Sequence, residues 1–572
     1  MNMSIKIPVG IESFAKMREG GFYYIDKTSF IKELLSQEFE ANLVTRPRRF
    51  GKTLTMSMLE DFFDIGRDSK AHFDELAISE ETALCDEWQN RWPVVSLTLK
   101  SVEGLNFQKA YRRLKVLIAN VCKKYAFLGE SDQVDDDDKV LFKKLKAQEA
   151  DEENLTDSLL ILSRMMTAHY GKPAILLVDE YDVPLAKAHE HDYYTEMLDI
   201  IRALLGAALK TNPYLKFGVV TGCLKISKES IFTGVNNLVA NTITVNRFDE
   251  GIGFTEPEVL ALLSAAGFSD HAEEVRTWYD GYRFGSVDVY CPWDVLNHVA
   301  ALITDPMTAP RSYWEDTSSN DVIYKLFENE TIDVNSRFEL LLSGGCIRET
   351  ITEDLTYDSL EASEESLWSL LFMTGYLTQS KEEEIKNLPG RKTADGYEMT
   401  EKAAVLRIPN EEIKGIFRES VVEWFKKSIQ TVDRSEMFKA LWNGDTETAE
   451  NAISDLLFAA ISYNDYKESF YHAFVAGLFA GAGYVVESNR EYGNGRPDVV
   501  IKEKRKRRVM VFEAKHADEN ETLSHALKEA VNQIFDKRYA EPFIKEGYRT
   551  VICYGIAFKG KDCMLEQCKG SE

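Results

Sequence analysis

The sequence predicts an α/β protein: an N-terminal sheet with helices on its faces and a helical subdomain behind it, a mainly helical middle region, and a second α/β core at the C-terminus. Three observations predict this. Residues 1 to about 250 alternate short apolar strand patterns with helical ones. The texture turns helical after about residue 251, and "RPDVVIKEKRKRRVMVFEAKH" near the C-terminus reads as a strand, a basic turn and a second strand.

The first element is carried by "NLVTRPRRFGKTLTMSML", Asn42 to Leu59. "ANLVT" is an apolar run of strand type, and the residues after it place Leu54, Met58, Leu59 and Phe62 at helical spacing. Gly51, Lys52 and Thr53 therefore sit at a strand-to-helix turn, which aims backbone N–H groups and the positive end of a helix dipole at an anion. A phosphate loop runs Gly, four residues, then Gly-Lys-Ser/Thr; here Arg46 stands where the opening glycine belongs. Lys52 would neutralise the β- and γ-phosphates of a nucleotide, and the Thr53 hydroxyl would hold Mg²⁺. Arg46 followed by Pro47 predicts a stiff loop entrance, and Arg48 and Arg49 add donors for a triphosphate. The alternative is a basic turn before a surface helix.

In "KPAILLVDEYDVPL" an apolar run from Ala174 to Val178 ends in Asp179 and Glu180, the way a buried parallel strand delivers carboxylates to the carboxyl edge of a sheet. Asp179 would bind Mg²⁺ through water and Glu180 would polarise an attacking water. A further strand, "LKFGVVTGC", ends in Thr221 and Gly222, where polar contacts to a γ-phosphate or its water are expected. The acidic run "SDQVDDDDK" reads as a solvated loop within a helical insertion. "GFTEPEVLALLSAAG" opens with a Thr255 to Glu258 capping-box pattern and continues as an amphipathic helix.

Residues 310 to about 460 are mainly helical in pattern. "ESLWSLLFMTGYLTQ" and "AVLRIPNEEI" predict helix, strand, polar excursion, strand and helix, a winged-helix-like order with Trp368, Leu371 and Phe372 in its core. The excursion "KEEEIKNLPGRKTADGYEM" reads as a hairpin or wing.

At the C-terminus, period-two alternation puts Glu513 and Lys515 on one strand face and Ala514 on the other. If the two strands pair as a hairpin, Asp498 lies beside Glu513. Two carboxylates and a backbone carbonyl would form an oxygen-rich Mg²⁺ site, with Lys515 holding a water or stabilising phosphorane-like charge. An upstream helix offers Glu468, and a downstream one Gln533 and Tyr539. The turn from Lys502 to Arg508 is either a phosphate-backbone contact or a soluble turn.

A chain of 572 residues predicts three or four domains. A net charge of -26 and a pI near 5.0 exclude nonspecific coating of nucleic acid, so any such contact must be a local basic patch. Eight cysteines without a CxxC pair suggest neither zinc nor a disulfide framework. No signal-peptide core or membrane span is apparent, and the cytosol is the expected compartment.

These motifs together resemble those of bacterial AAA-ATPase-like proteins with a C-terminal PD-(D/E)XK nuclease-superfamily domain. The resemblance is carried by "IPVGIESFAKMREGGFYYIDKTSFIKELL", "TRPRRFGKTLTMSML", "LLVDEYDVPL", "WYDGYRFG", "CPWDVLNHV", "ESFYHAFVAGLF", "SNREYGNGRPDVVI" and "FEAKH". The family pattern has Pro-Arg-Arg-x-Gly-Lys-Thr, so Arg46 fits a variant loop. The resemblance implies a P-loop NTPase sheet of AAA/STAND-like type over 1–250, its helical subdomain over 251–310, a helical linker domain over 311–460 and a restriction-endonuclease-like core over 461–572. It implies ATP and Mg²⁺ as cofactors, Gly51, Lys52 and Thr53 as the Walker A end, and Asp179 and Glu180 as the Walker B acids. Asp498, Glu513 and Lys515 become the nuclease triad, with Glu468 as a fourth acidic member and Glu487 and Glu491 as alternatives. Asp26, Lys27 and Thr28 match a family tripeptide, either a cap or salt bridge or a nucleotide contact. Two functions are expected: an ATP- and Mg²⁺-dependent nuclease acting on nucleic acid, DNA foremost, or a nucleotide-switched interaction protein. A homo-oligomer is an expected assembly and a membrane partner is not.

Overall fold

In the computed structural model the described residues are 5–37, 39–226, 237–314, 335–342, 344–355, 364–380, 403–428, 435–460, 468–480, 484–488, 492, 495–518 and 521–568. They form two compact units, Met1–Trp314 with Arg348–Glu412, and Glu315–Ile347 with Ile413–Glu572.

The first unit is built on five parallel strands, β1 (Ala41–Thr45), β2 (Val94–Thr98), β3 (Ala174–Asp179), β4 (Leu215–Gly222) and β5 (Leu238–Asn241), in the order β2-β3-β4-β1-β5. β1 and β3 are buried at every residue, which is why their sequences are continuous apolar runs instead of alternating ones. β4 lies between β1 and β3, so the loop after β1, the acids after β3 and Thr221 at the end of β4 come to the same edge. The helix Lys52–Phe63 follows the first loop and buries Met58, Leu59, Phe62 and Phe63, with Phe63 edge-on to Phe217 at 5.5 Å.

The buried Arg46 explains how the sheet dispenses with a glycine there. Its guanidinium donates to the carbonyls of Thr45 (2.9 Å), Asn241 (3.0 Å), Arg247 (3.2 Å) and Phe248 (2.8 Å) and lies 5.2 Å from the Phe284 ring. The side chain thus ties the end of β1 to the end of β5 and the segment beyond. Burial lowers its pKa to about 10, still charged at neutral pH.

The Asp26-Lys27-Thr28 tripeptide is a structural pin. Asp26 accepts from the Thr28 amide (2.8 Å) and hydroxyl (2.7 Å) and from the Ala77 amide (2.7 Å), while Lys27 pairs with Glu258 at 2.7 Å. The expected salt bridge is present. Glu258 also closes the capping box with the Thr255 amide at 2.7 Å, as expected. The helices Glu256–Ala266, Ala272–Tyr279 and Pro292–Thr304 then share one core of Val259, Leu262, Leu263, Val275, Val295 and Val299, and the antiparallel pair β6 (Tyr282–Phe284) and β7 (Val287–Val289) lies between the last two in sequence.

The acidic run departs from its expected loop. Asp135 caps the helix Asp136–Ala147 by accepting from the Asp137 amide (2.8 Å), and Asp136, Asp137 and Asp138 form its first turn. Carboxylates there meet the positive end of the helix dipole, and Asp138 also accepts from Arg164 Nε at 2.8 Å. Like charges that repel in a loop are useful at a helix start.

In the middle region the order helix, strand, strand, helix is present as Glu364–Thr374, β9 (Thr378–Gln379), β10 (Ala403–Arg407) and Glu411–Ser428, with β9 and β10 antiparallel. Together with β8 (Ile347–Thr350) they make a three-stranded sheet. Trp368, Leu371 and Phe372 are core, and the polar excursion, 381–399, lies outside the described residues. The stretch 311–460, expected as one linker domain, is divided between the two units, because residues 348–412 pack with the N-terminal sheet unit.

The second unit carries β11 (Val485–Ser488), β12 (Val499–Glu503), β13 (Arg508–His516), β14 (Thr550–Lys559) and β15 (Asp562–Cys568) as one sheet in chain order. Only β13 and β14 are parallel, and the crossover between them carries the helix Leu523–Lys537. That helix packs Ile534 against Val500, Val509 and Val511. No helix among the described residues is long and apolar enough to cross a membrane.

Replacing Arg46 by glycine, which restores the usual first residue of a phosphate loop, is expected to destabilise the protein. Four carbonyls, three of them on buried residues, lose a charged donor, a loss of at least about 3 kcal/mol. The check is the urea unfolding midpoint of Arg46→Gly beside wild type.

Candidate functional site

Two corners collect the residues singled out in the sequence, one in each unit. In the first, Gly51 caps the helix Lys52–Phe63 with φ 96°, and a Cβ added to it would meet nothing within 4 Å. Glycine is required there by the left-handed backbone and leaves open space before the first-turn amides, which have no intrahelical acceptor. Lys52 is buried; its Nζ donates to the carbonyls of Arg46 and Pro47, both at 3.0 Å, and lies 3.6 Å from Cys223 Sγ and 3.7 Å from Glu180 Oε1.

Asp179 is the hub of this corner. Thr53 Oγ1 donates to its Oδ2 at 2.8 Å, and Thr221 Oγ1 donates to its Oδ1. Glu180, next in sequence, holds a left-handed backbone at φ 55°, unusual for a residue with a side chain. Burial raises the Asp179 pKa above the ordinary value, and the neighbouring Glu180 charge adds to this. Burial alone would lower the Lys52 ammonium, but Cys223 and the carboxylates of Glu180, Asp182 and Asp179 reverse that and raise it. Since burial pushes the Cys223 thiol up to about 12, it is uncharged at neutral pH and the carboxylates supply the stabilising charge.

The two arginines of the loop differ. Arg48 is exposed, whereas the Arg49 guanidinium donates to the carbonyls of Tyr313 and Trp314 and lies 5.5 Å from the Trp293 ring. Arg49 is thereby turned to its own unit's interior face and not left as a loose donor.

The sequence reading missed Tyr181 and Asp182. Asp182 Oδ2 accepts the amides of Cys223 (2.7 Å) and Leu224 (3.0 Å), and Tyr181 Oη donates to the Leu224 carbonyl (2.7 Å) and accepts from the Ile226 amide (3.1 Å). These residues fix the chain just beyond Thr221. A third acid so soon after Asp179 and Glu180 in "DEYDVPL" was the available signal, but its partners lie about forty residues away and cannot be read from spacing.

In the second unit β12 pairs antiparallel with β13, Val499 opposite Phe512, so the expected hairpin is present and Asp498 falls opposite Glu513. Asp498 Oδ2 accepts the Ala514 amide at 2.8 Å. Glu513 is buried, with Lys515 Nζ 3.7 Å from its Oε1, two residues on along the same face. Gln533 Nε2 lies 3.5 Å from the Tyr539 hydroxyl, which donates to the Arg496 carbonyl at 3.2 Å. Burial raises the Tyr539 pKa; Gln533 opposes this, and the nearby charges of Glu513 and Asp498 add to it. Asp498, Glu513, Lys515, Gln533 and Tyr539 therefore share one corner.

Glu468 opens the helix Glu468–Ala480, but its side chain, like Glu491, lies outside the described residues. His472, one helical turn on, was not anticipated: its ring nitrogen Nε2 bonds the Asp498 carbonyl and its Nδ1 is 4.0 Å from Asp498 Oδ1. Glu487 pairs with the buried Lys502 at 3.1 Å, and Lys502 also donates to Tyr492 Oη at 2.8 Å. Within the basic turn Lys506 and Arg508 both pair with Glu503.

The donor sets fit the groups expected of them. Thr53 and Asp179 offer adjacent hydroxyl and carboxylate oxygens beside an ammonium, a set suited to a metal-nucleotide. Asp498 and Glu513 offer carboxylates beside Lys515, a set suited to a hard divalent cation.

A parallel sheet with this loop edge, followed in the same chain by a mixed sheet with an Asp, Glu-x-Lys corner, defines a P-loop-like unit joined to a nuclease-like one. Residues 8–232 match the family model described as predicted AAA-ATPase, AAA-ATPase-like, and residues 466–568 match that of the PD-(D/E)XK nuclease superfamily. The matches give the chain an AAA-ATPase-like segment in its N-terminal part and a PD-(D/E)XK nuclease-superfamily segment at its C-terminal part. It is also 26% identical over 565 residues, 97% of this chain and 96% of the relative, to a protein of Azotobacter chroococcum mcd 1 described as an uncharacterized protein in the vnfD 5′ region.

Asp182 has a pKa of about 6, raised by burial and then by the Glu180 charge, against an ordinary value of 3.8. A carboxyl raised in the folded state favours folding below the unfolded pKa, and that contribution is lost as pH rises from near 4 through about 6. Asp182→Asn retains an acceptor for the two amides without that titration. Its stability relative to wild type is expected to rise by about 2 kcal/mol between pH 4.5 and 7.5 in urea unfolding.

Proposed function

We propose that the protein binds and hydrolyses ATP at the Gly51-Lys52-Thr53 loop and uses nucleotide state to govern metal-dependent cleavage of nucleic acid phosphodiesters, DNA foremost, at Asp498, Glu513 and Lys515. The reading rests chiefly on one observation: the Asp498, Glu513 and Lys515 set lies complete in one corner, which a module that only bound a partner would not need.

In the first unit Gly51 and the first-turn amides receive phosphate oxygens, and Lys52 neutralises the β- and γ-phosphates. Thr53 and Asp179 are the Mg²⁺-side ligands, Thr221 keeps Asp179 in register, and Glu180 accepts the proton of the attacking water. In the second unit Asp498 and Glu513 are the metal ligands. Lys515 orients the attacking water and stabilises charge at phosphorus, and Gln533 positions Tyr539 at the rim. Magnesium, when bound, supplies Lewis-acid charge at both corners. Glu468 is the proposed fourth acid. The ATP module corresponds to the expected 1–250 and 251–310 segments and the cleavage module to 461–572.

Lys52→Ala is expected to abolish ATP binding, and Glu180→Gln to retain binding while slowing hydrolysis by about 100-fold or more. Equilibrium binding of a fluorescent ATP analogue and phosphate release check both, and normal turnover in both variants would sink the ATPase reading. Asp498→Ala and Lys515→Ala should each reduce Mg²⁺- or Mn²⁺-dependent cleavage of labelled DNA and RNA by about 100-fold or more with ATP hydrolysis intact. Wild-type ATP hydrolysis without cleavage of any substrate would favour the nucleotide-switched binding protein.

A further inference from the structure

The phosphate loop is held from behind by the two places where the chain leaves the first unit. Trp314 is the last residue before the first departure and Glu412 the last before the final one. Arg49, inside the loop, has a left-handed backbone at φ 73°, a conformation that persists in a residue with a side chain only when its surroundings over-determine it. The surroundings do so. Its guanidinium donates to the Tyr313 carbonyl and, at 3.3 Å, to the Trp314 carbonyl, between the rings of Trp293 and Trp314 at 5.5 and 5.9 Å.

The same two residues are also held through their amides. Glu412 Oε1 accepts the Tyr313 amide and, at 3.0 Å, the Trp314 amide. Glu412 is buried beside the equally buried Asp294, and burial raises both carboxyls above the ordinary range, the Glu412 charge adding to the rise at Asp294. Pro47 of the loop joins the same node: a Cβ added to Gly375 would stand 3.0 Å from Pro47 Cβ and 3.3 Å from the Trp314 ring, so backbone, loop and indole meet there. Trp314 is also edge-on to Tyr376 at 5.6 Å.

We propose that Arg49 is a positioning residue whose clasp with Tyr313, Trp314 and Glu412 couples the shape of the phosphate loop to the chain crossings at Trp314 and Glu412, so that nucleotide in the loop is felt at both. The inference rests on the nucleotide reading above. Its physical content is reciprocal: a ligand that selects one loop shape must strengthen the clasp, and breaking the clasp must change the affinity of the loop for that ligand by the same factor. An arginine is suited to this because its planar fork holds two carbonyls in a fixed relative geometry, whereas a lysine ammonium is a point donor that rotates freely.

Hydrogen–deuterium exchange of the full-length chain with and without Mg²⁺ and a non-hydrolysed ATP analogue tests the clasp without requiring activity at either corner. Protection over residues 47–53, accompanied by slowing of about tenfold at the Tyr313 and Trp314 amides and over 408–412, is the expected result. In Arg49→Met the slowing at 313–314 and 408–412 should vanish. Glu412→Ala should lose it as well and should weaken analogue binding. Protection of 47–53 in wild type with 313–314 and 408–412 unchanged would overturn the clasp while leaving the nucleotide reading intact. No protection at 47–53 would remove both. If either variant fails to fold, the wild-type comparison decides alone.

Discussion

The carboxylate of Asp179 receives one hydroxyl from the start of a helix and another from the end of the neighbouring strand, and the N-terminal corner depends on that junction. β4 separates the loop strand from the acid strand, so no main-chain ladder joins them directly. Thr53 and Thr221 bridge the gap through one buried acid. Such a junction tolerates no shift in strand register, because a one-residue slip would turn Thr221 to the opposite face. The fully buried strands on either side supply that register.

Loss of the opening glycine becomes intelligible from the same geometry. The left-handed backbone that a phosphate loop needs occurs here at Arg49 and Gly51, and Arg46 has no such conformation. A side chain is therefore tolerated at residue 46, and the one present turns back to bind four carbonyls beneath the sheet edge. Three arginines in four residues thus have three environments: Arg46 buried under the strands, Arg48 exposed, and Arg49 gripping a distant backbone segment. Their charge is similar, and only their burial and partners separate them.

The second corner obeys a different economy of charge. The chain carries a net charge of -26, and three of the six cations from Lys502 to Arg508 pair with Glu487 and Glu503. Lys502 is too buried to meet a phosphate. The net charge of the chain as a whole opposes nonspecific attraction of polyanions.

Much was legible in sequence wherever a contact is local or a period repeats. The strands "ANLVT" and "AILLVD", the capping box at Thr255, and the hairpin that sets Asp498 opposite Glu513 all follow from burial patterns, caps and alternation within a few residues. The acidic run at Asp135 was misread as a loop because its charges look the same in a loop as at a helix start, where the dipole welcomes them. Tertiary structure alone decided that Arg46 is a staple, that Arg49 faces Tyr313 and Trp314, that Asp182 holds the chain after Thr221, and that His472 reaches Asp498. The reason is common to all four. Each pairs a polar side chain with backbone atoms far away in sequence, and a backbone carbonyl or amide leaves no mark on residue identity by which a sequence could announce its partner.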